Sequence, residues 1–334
     1  MGDIGQSSAT ESANRIEPGS FPLNVATFPD LNTSECNDPI EVANEFVDSF
    51  NRALEAPDVE AVVGLFQAQG YWRDQLCLSW DFHTLQGPDR ISKILKQSEK
   101  GIRIKSIKLD TSSALRSPRS STIGPLHTVV AFLTVETDVG RGAGIVNLIQ
   151  DHGVWKVYTL FTHLMELKDH EEGVGARRPN GYEGHDTSLN WLDRRESERK
   201  LEDGDPTVLI LGAGQAGLSI AARLKALGIK SLVVDRAERV GDNWRTRYHN
   251  LVLHDPVWFD HLAYLPFPAT WPVHTPKDKM ANWLESYVEV LELNVWTSTI
   301  ITQSSWDEGT GKWTVSLSRS GECHEETRTI SPKV

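Results

Sequence analysis

Two hydrophobic periods succeed one another in the first half of the chain. Val42, Phe46, Val47, Phe50 and Leu54 recur at helical spacing and predict an amphipathic helix that ends at Ala56-Pro57. Asp58 stands as an N-cap for a second helix, with Val59, Val62, Val63 and Phe66 on its buried stripe. After Gly87-Pro88, Asp89 caps a third helix carrying Ile91, Ile94 and Leu95. The period then shortens. Ile102, Ile104, Ile107 and Leu109 alternate as in a strand, and residues 127–137, 144–150 and 155–161 are rich in β-branched and aromatic side chains. Asp151-His152-Gly153 supplies a hairpin turn between the last two. Three helices followed by antiparallel strands predict an α+β domain over residues 39–167.

Polar stretches flank that domain. Residues 1–38 are rich in Ser, Asn, Asp, Gly and Pro and read as a flexible arm. Residues 168–204 hold charges of both signs, among them Arg194-Arg195-Glu196-Ser197-Glu198-Arg199-Lys200, with Trp191 and Leu192 among the few sizeable apolar residues beyond Val174. Mixed signs favour a solvated linker helix over a basic recognition patch.

The third pattern starts at Thr207. Val208-Leu209-Ile210-Leu211 is a short apolar run, as expected for a strand buried on both faces of a parallel sheet. It enters Gly212-Ala213-Gly214-Gln215-Ala216-Gly217, a G-x-G-x-x-G motif, and Leu218, Ala221, Ala222, Leu224 and Leu227 then form a helical face ended by Gly228. Ser231 to Val234 makes the next strand, and Asp235 follows it, 18 residues beyond Gly217. In such a unit the first glycine makes the tight turn, the second admits a diphosphate, and the third lets helix and strand approach. The helix N-terminus holds the diphosphate, and the carboxylate binds ribose hydroxyls. Asp235 would repel a 2′-phosphate, so FAD or NAD fits this site better than NADP. This predicts an α/β Rossmann-type domain over residues 205–334.

Composition narrows the function classes. The 334 residues carry 34 basic and 46 acidic side chains, a net charge of −12, which argues against a general nucleic-acid or anionic-membrane binder. Cys36, Cys77 and Cys323 are too few and too scattered for a disulfide framework or a zinc cluster, and they fit a reducing, cytoplasmic setting. Scattered histidines likewise give no metal-ligand spacing. No apolar run reaches the length of a membrane helix.

Two resemblances add to this. The element order of residues 39–167, with Trp80-Asp81-Phe82-His83 and Gly87-Pro88, resembles the SnoaL-like cone, whose curved sheet wraps helices around a pocket. Asp81, His83, His127 and His163 are its candidate proton-transfer residues. Beyond Asp235, Val240-Gly241-Asp242-Asn243-Trp244-Arg245, Asn250-Leu251-Val252-Leu253-His254, Leu265-Pro266-Phe267-Pro268 and Thr275-Pro276-Lys277-Asp278 resemble the flavin-containing monooxygenase family. The resemblance implies an FAD-dependent enzyme that uses NADPH and O₂ to oxygenate nitrogen, sulfur or carbon in a small organic substrate. By it, Gly212, Ala213, Gly214, Gln215, Ala216, Gly217, Asp235 and Arg236 hold the ADP half of FAD, and Asn243, Trp244 and Arg245 lie along the diphosphate and flavin. His254 falls where many members place an asparagine facing the flavin, which makes it the candidate catalytic residue. Asp242 departs from the usual second glycine of the Gly-Gly-x-Trp segment.

After a helix from Lys279 to Leu291, strands are expected at 294–297, 300–306, 313–318 and 327–334, with a turn at Asp307-Glu308-Gly309-Thr310-Gly311. The second glycine motif for NADPH and the F-x-G-x-x-x-H signature are not found, so by resemblance the flavin domain is truncated. An incomplete sheet leaves an unpaired edge, which favours homo-oligomers and weak NADPH oxidation. A disulfide reductase would need a Cys pair and has none. The competing reading is a non-catalytic FAD- or ligand-binding protein with a vestigial flavin domain.

Overall fold

The computed structural model describes residues 28–31, 38–97, 103–181, 190–321 and 325–334. Most of the expected arm, together with Cys36, Ile102 and Cys323, lies outside them. The chain divides into two compact units, Met1–Lys168 and Asp169–Val334.

The first unit opens with α1 (Pro39–Glu55), capped by Asp38, whose Oδ1 accepts from the Ile40 and Glu41 N–H groups at 3.1 Å each. Asp58 caps α2 (Val59–Gly64) through the Ala61 N–H at 2.9 Å. Two strands absent from the sequence reading follow, β1 (Phe66–Gln75) and β2 (Phe82–Gln86). Thus the order is not three helices and then strands. Phe66, assigned to a helical stripe, starts β1. Next comes α3 (Gly87–Gln97), which begins two residues before the expected Asp89 cap and leaves Asp89 in its first turn. The remaining strands are β3 (Ile104–Leu109), β4 (Arg119–Ile123), β5 (Leu126–Thr137), β6 (Gly140–Asp151) and β7 (Val154–Leu167).

The sheet order is β2-β1-β7-β6-β5-β3, with β4 also paired to β5. Only β1 and β7 run parallel; the other pairings are antiparallel. Phe46 and Phe50 of α1 meet Phe66 and Trp72 of β1 in a chain of ring contacts. Trp72 is fully buried, and its Nε1 donates to Thr162 Oγ1 at 2.9 Å. Burying aromatic rings of this size on one side of a sheet is the main driving force available to the unit.

The second unit contains α4 (Trp191–Lys200), β8 (Val208–Leu211), α5 (Gln215–Ala226), β9 (Ser231–Val234), α6 (Asp242–Arg245), α7 (Val257–Asp260), α8 (Lys277–Val290) and β10 (Val295–Trp296). A separate meander follows: β11 (Thr299–Asp307), β12 (Lys312–Ser320) and β13 (Glu325–Ile330). The parallel sheet has the order β10-β9-β8. β9 is central, and Leu232, Val233 and Val234 are fully buried. β8 is less enclosed than its apolar sequence implies: Ile210 is buried but Leu211 is 72% exposed. Its outer side meets only Lys333 and Val334, through the Leu209 N–H donating to the Val334 carbonyl and the Thr207 carbonyl accepting from both N–H groups. Pro332 still accepts from the Trp313 N–H of β12, and only Lys333 and Val334 turn from the meander to β8.

α4 is helical, as its position predicts, but it is not solvated on every side. Arg195 is 3% exposed and donates to Glu198, Asn294 and the Leu293 carbonyl, while Trp191 Nε1 donates to Glu292 at 2.7 Å. The helix is attached by polar anchors in place of an apolar stripe.

Candidate functional site

The site of the second unit is built on the turn between β8 and α5. Gly212 has φ of +102°, a conformation that favours glycine, and its N–H donates to the Val234 carbonyl at 2.8 Å. Gly214 is the N-cap of α5, and no side chain caps that end. The first-turn N–H groups, those of Gln215, Ala216 and Gly217, therefore point out of the helix without an intrahelical acceptor. Gly217 answers to a close approach: a Cβ there would sit 2.0 Å from the Gly212 carbonyl oxygen and 3.2 Å from Ile210 Cγ2. Gly214 is different, since a Cβ on it would meet nothing nearer than Asn243 Nδ2 at 3.5 Å. The protein itself leaves space over the second glycine.

Asp235 is tied into the turn. Its Oδ2 accepts from the Ala213 N–H at 2.6 Å and its Oδ1 from the Ala237 N–H at 2.8 Å. Each carboxylate oxygen keeps a lone pair, so the group fixes the glycine turn and can still accept hydroxyls. This link between two sequence motifs is non-local and has no signature in the sequence beyond the spacing. Arg236 is exposed beside it.

The segment 240–245 has an unexpected internal economy of contacts. Gly241 has φ of +89°, and a Cβ there would lie 2.5 Å from the Ala281 carbonyl oxygen, so α6 rests directly on α8. Asp242 accepts from the Arg239 N–H at 3.0 Å and from Arg245 Nη1 at 2.9 Å. Arg245 also donates to the Val240 carbonyl, Asn282 and Glu285, and Lys277 Nζ donates to the Arg245 carbonyl at 2.9 Å. Both Nη groups of Arg245 are thus committed within the protein. Asn243 is exposed at the glycine turn. Trp244 packs on the core around α5 and α8, and its Nε1 is buried with no hydrogen-bond partner. Buried donors are normally satisfied, so this indole N–H is one that a ligand acceptor would complete.

His254 is exposed and lies apart from the glycine motif in sequence, on a segment joined to the start of α8 by the Val252–Pro276 bridge and by the Leu253 N–H donating to the Thr275 carbonyl at 2.9 Å. In the first unit, Asp81 and His83 line one cavity, whereas His163 stacks on Phe161 within β7 and His127 lies in β5. Among the described residues no group of three or more His, Cys, Asp or Glu side chains could hold a metal ion, and no helix is long and apolar enough to cross a membrane.

Comparison with known proteins addresses the same region. Over 127 residues the chain is 32% identical to the indole-3-pyruvate monooxygenase YUCCA1 of Oryza sativa subsp. japonica, a match covering 38% of this chain and 31% of that protein. It is 37% identical over 102 residues to an uncharacterized oxidoreductase, CzcO-like, of Geobacillus kaustophilus, covering 30% of this chain and 29% of that one. A solved flavin-containing monooxygenase from Stenotrophomonas maltophilia aligns over 39% of this chain and 37% of its own, with 20% identity and a TM-score of 0.33. The chain spans about a third of the length of the curated relatives it matches. Residues 210–270 match the family model of the NAD(P)-binding Rossmann-like domain, and the strand–glycine turn–helix–strand geometry observed there is the α/β arrangement of that fold.

Proposed function

We propose that this chain carries the FAD-binding part of an NADPH-dependent flavin monooxygenase, an oxidoreductase that transfers one atom of O₂ to a small organic substrate. The observation that carries this reading is the glycine turn, pinned by Asp235 and opening onto an uncapped helix end with free space over Gly214. The named activities of the relatives support the choice of reaction class.

The residues present fit a dinucleotide cofactor. Gly212, Ala213 and Gly214 bring the backbone close to a diphosphate, and the N–H groups of Gln215, Ala216 and Gly217 donate to it at the positive end of α5. Asp235 would receive ribose hydroxyls on its remaining lone pairs and disfavours a 2′-phosphate, which leaves FAD or NAD for this turn, and the monooxygenase class of the relatives favours FAD. Arg236 would hold the adenosine side, and the Asn243 amide, exposed beside Gly214, would flank the diphosphate. Trp244 offers its unpartnered Nε1 to the cofactor. Arg245 has its two Nη groups bonded to Val240, Asp242, Asn282 and Glu285, which fixes the segment carrying Trp244 and leaves its Nε–H to face the cofactor. When bound, FAD supplies the redox chemistry, accepting electrons from NADPH and passing them to O₂. His254 is the exposed hydrogen-bonding group offered to substrate and flavin. The substrate sites, the NADPH contacts and the SnoaL-like assignment of residues 39–167, for which α1 packed on a largely antiparallel sheet speaks, belong to the same proposal, as does a cytoplasmic setting.

The test is reconstitution of the full chain with FAD, removal of free flavin, and an absorbance scan. Retained flavin in wild type, with loss in Gly214→Ala, is expected. A folded protein that retains no flavin overturns the reading.

A further inference from the structure

A second site lies in the first unit, where a cavity of about 580 Å³ is lined by Leu78, Trp80, His83, Ile94, Arg103 and Val139 among others. That volume falls within the range that encloses small organic ligands. Its polar centre is Arg103, whose side chain is only 8% exposed. One edge of the guanidinium is used: Nε donates to Asp138 Oδ1 at 3.2 Å. One face is covered by the Trp80 ring, whose centroid lies 3.9 Å from the guanidinium carbon. Arg103 Nη2, however, is buried and has no hydrogen-bond partner among the described residues.

An unsatisfied donor on a buried cation is among the costlier arrangements in a protein interior, and here Asp138 and the Trp80 face offset the desolvation of the charge while leaving Nη2 uncompensated. The guanidinium cannot shed its proton to relieve this. Trp80 holds the plane of the fork rigid, which reduces the entropy lost when a planar acceptor docks in that plane. The group that matches the free Nη2 donors is a carboxylate, which forms charge-assisted hydrogen bonds with arginine. The remaining wall divides into two characters. Leu78, Ile94 and Val139 give an apolar lining, and Ser79 Oγ lies 2.7 Å from His83 Nε2 as a paired polar rim. Asp81 and Asp138, which also line the cavity, oppose a second negative charge on the ligand.

We infer that the first unit binds a small monocarboxylate with an apolar or aromatic body, Arg103 gripping the carboxylate while Leu78, Ile94 and Val139 enclose the body. This site is independent of the flavin reading, because no residue of the second unit takes part in it.

Calorimetric titration of the full chain with phenylacetate and with hexanoate tests the inference, with phenylacetamide as the neutral counterpart. At least one carboxylate should bind, and phenylacetamide should bind about tenfold more weakly than phenylacetate or worse. Arg103→Met should weaken the carboxylate by about tenfold or more. If circular dichroism shows that Arg103→Met does not fold, Val139→Phe decides: it keeps the arginine and fills the cavity, and binding should be lost. Failure of both carboxylates to bind at about 10 mM, a concentration that reveals affinities weaker than −4 kcal/mol, overturns the inference. So does undiminished binding by a folded Arg103→Met or Val139→Phe variant.

Discussion

Gly217→Ala adds one methyl group where α5 crosses the glycine turn, and the geometry sets the size of the effect. The new carbon would lie 2.0 Å from the Gly212 carbonyl oxygen and 3.2 Å from Ile210 Cγ2. Reaching even a tight contact requires the helix and the turn to separate by about 1 Å, and the obstacle is backbone, which yields less readily than a side chain. Alanine returns about 1 kcal/mol of helix propensity over glycine. Overpacking costs about 1–3 kcal/mol and more where the neighbours are rigid. We expect a net loss of roughly 1–2 kcal/mol, and at about 2–4 °C per kcal/mol for a unit of this size the melting temperature falls by several degrees. Gly214→Ala is the control, because its methyl meets only Asn243 Nδ2 at 3.5 Å and the residue has φ of −85°. That variant should melt with wild type while losing bound flavin, whereas Gly217→Ala should lose both. Thermal melts of the flavin-free proteins, followed by flavin fluorescence after reconstitution, separate the two effects. If Gly217→Ala melts with wild type and retains FAD, the steric account of the motif is wrong.

Other expectations concern single groups. Burial raises the pKa of Asp74 above its ordinary 3.8, against the hydrogen bonds it accepts from Thr162 and the Leu78 N–H, so the folded state binds its proton more tightly than the unfolded one. Its stabilising contribution is therefore full below the ordinary carboxylate range and declines as pH rises; melting-temperature differences between wild type and Asp74→Asn should shift toward the variant on going from acid to neutral pH, and a pH-independent difference refutes this. Burial, with Asp74 nearby, pushes the Cys77 thiol up to about 12, so Cys77 should escape alkylation by iodoacetamide at mildly alkaline pH in the folded chain, as peptide mass mapping will show. Arg195→Ala leaves the Leu293 carbonyl and Asn294 without their donor, and denaturant titration should register a loss of about 2–4 kcal/mol. Near-zero change would mean that α4 is dispensable to the second unit.

The glycine turn and its flanking strands were legible because their roles are local: each glycine answers to a contact within a few residues or to its own φ. β1 was not. Its buried positions include Gln67 and Asp74, and its register against β7 shifts between Phe66 and Tyr71, around Gly70, so the alternation that marks a strand loses phase midway. The helix α4 was legible, but its attachment was hidden by the opposite problem. Trp191-Leu192-Asp193-Arg194-Arg195 has no apolar stripe, and its attachment depends on acceptors about a hundred residues away. Leu211 reads as core from its neighbours, but the sheet is only three strands wide and β8 lies at its margin. In the site, the motif drew attention to Arg245 as a ligand contact, yet its four acceptors are brought together only by the fold, two of them by α8. No spacing rule reports which acceptors the two Nη groups of an arginine will meet.

The attachment of α6 to α8 has a mechanical consequence. A helix of four residues has almost no stiffness of its own. Here Gly241 abuts Ala281, Arg239 and Arg245 share Glu285, and Lys277 reaches back to the Arg245 carbonyl. The two helices consequently behave as one lever, and a rotation of α8 carries Trp244 with it, without slack. Past Arg245 the chain is exposed, yet Thr246 and Arg247 still donate to the Asp242 and Trp244 carbonyls, so the registration of the indole to the long helix extends beyond α6 itself.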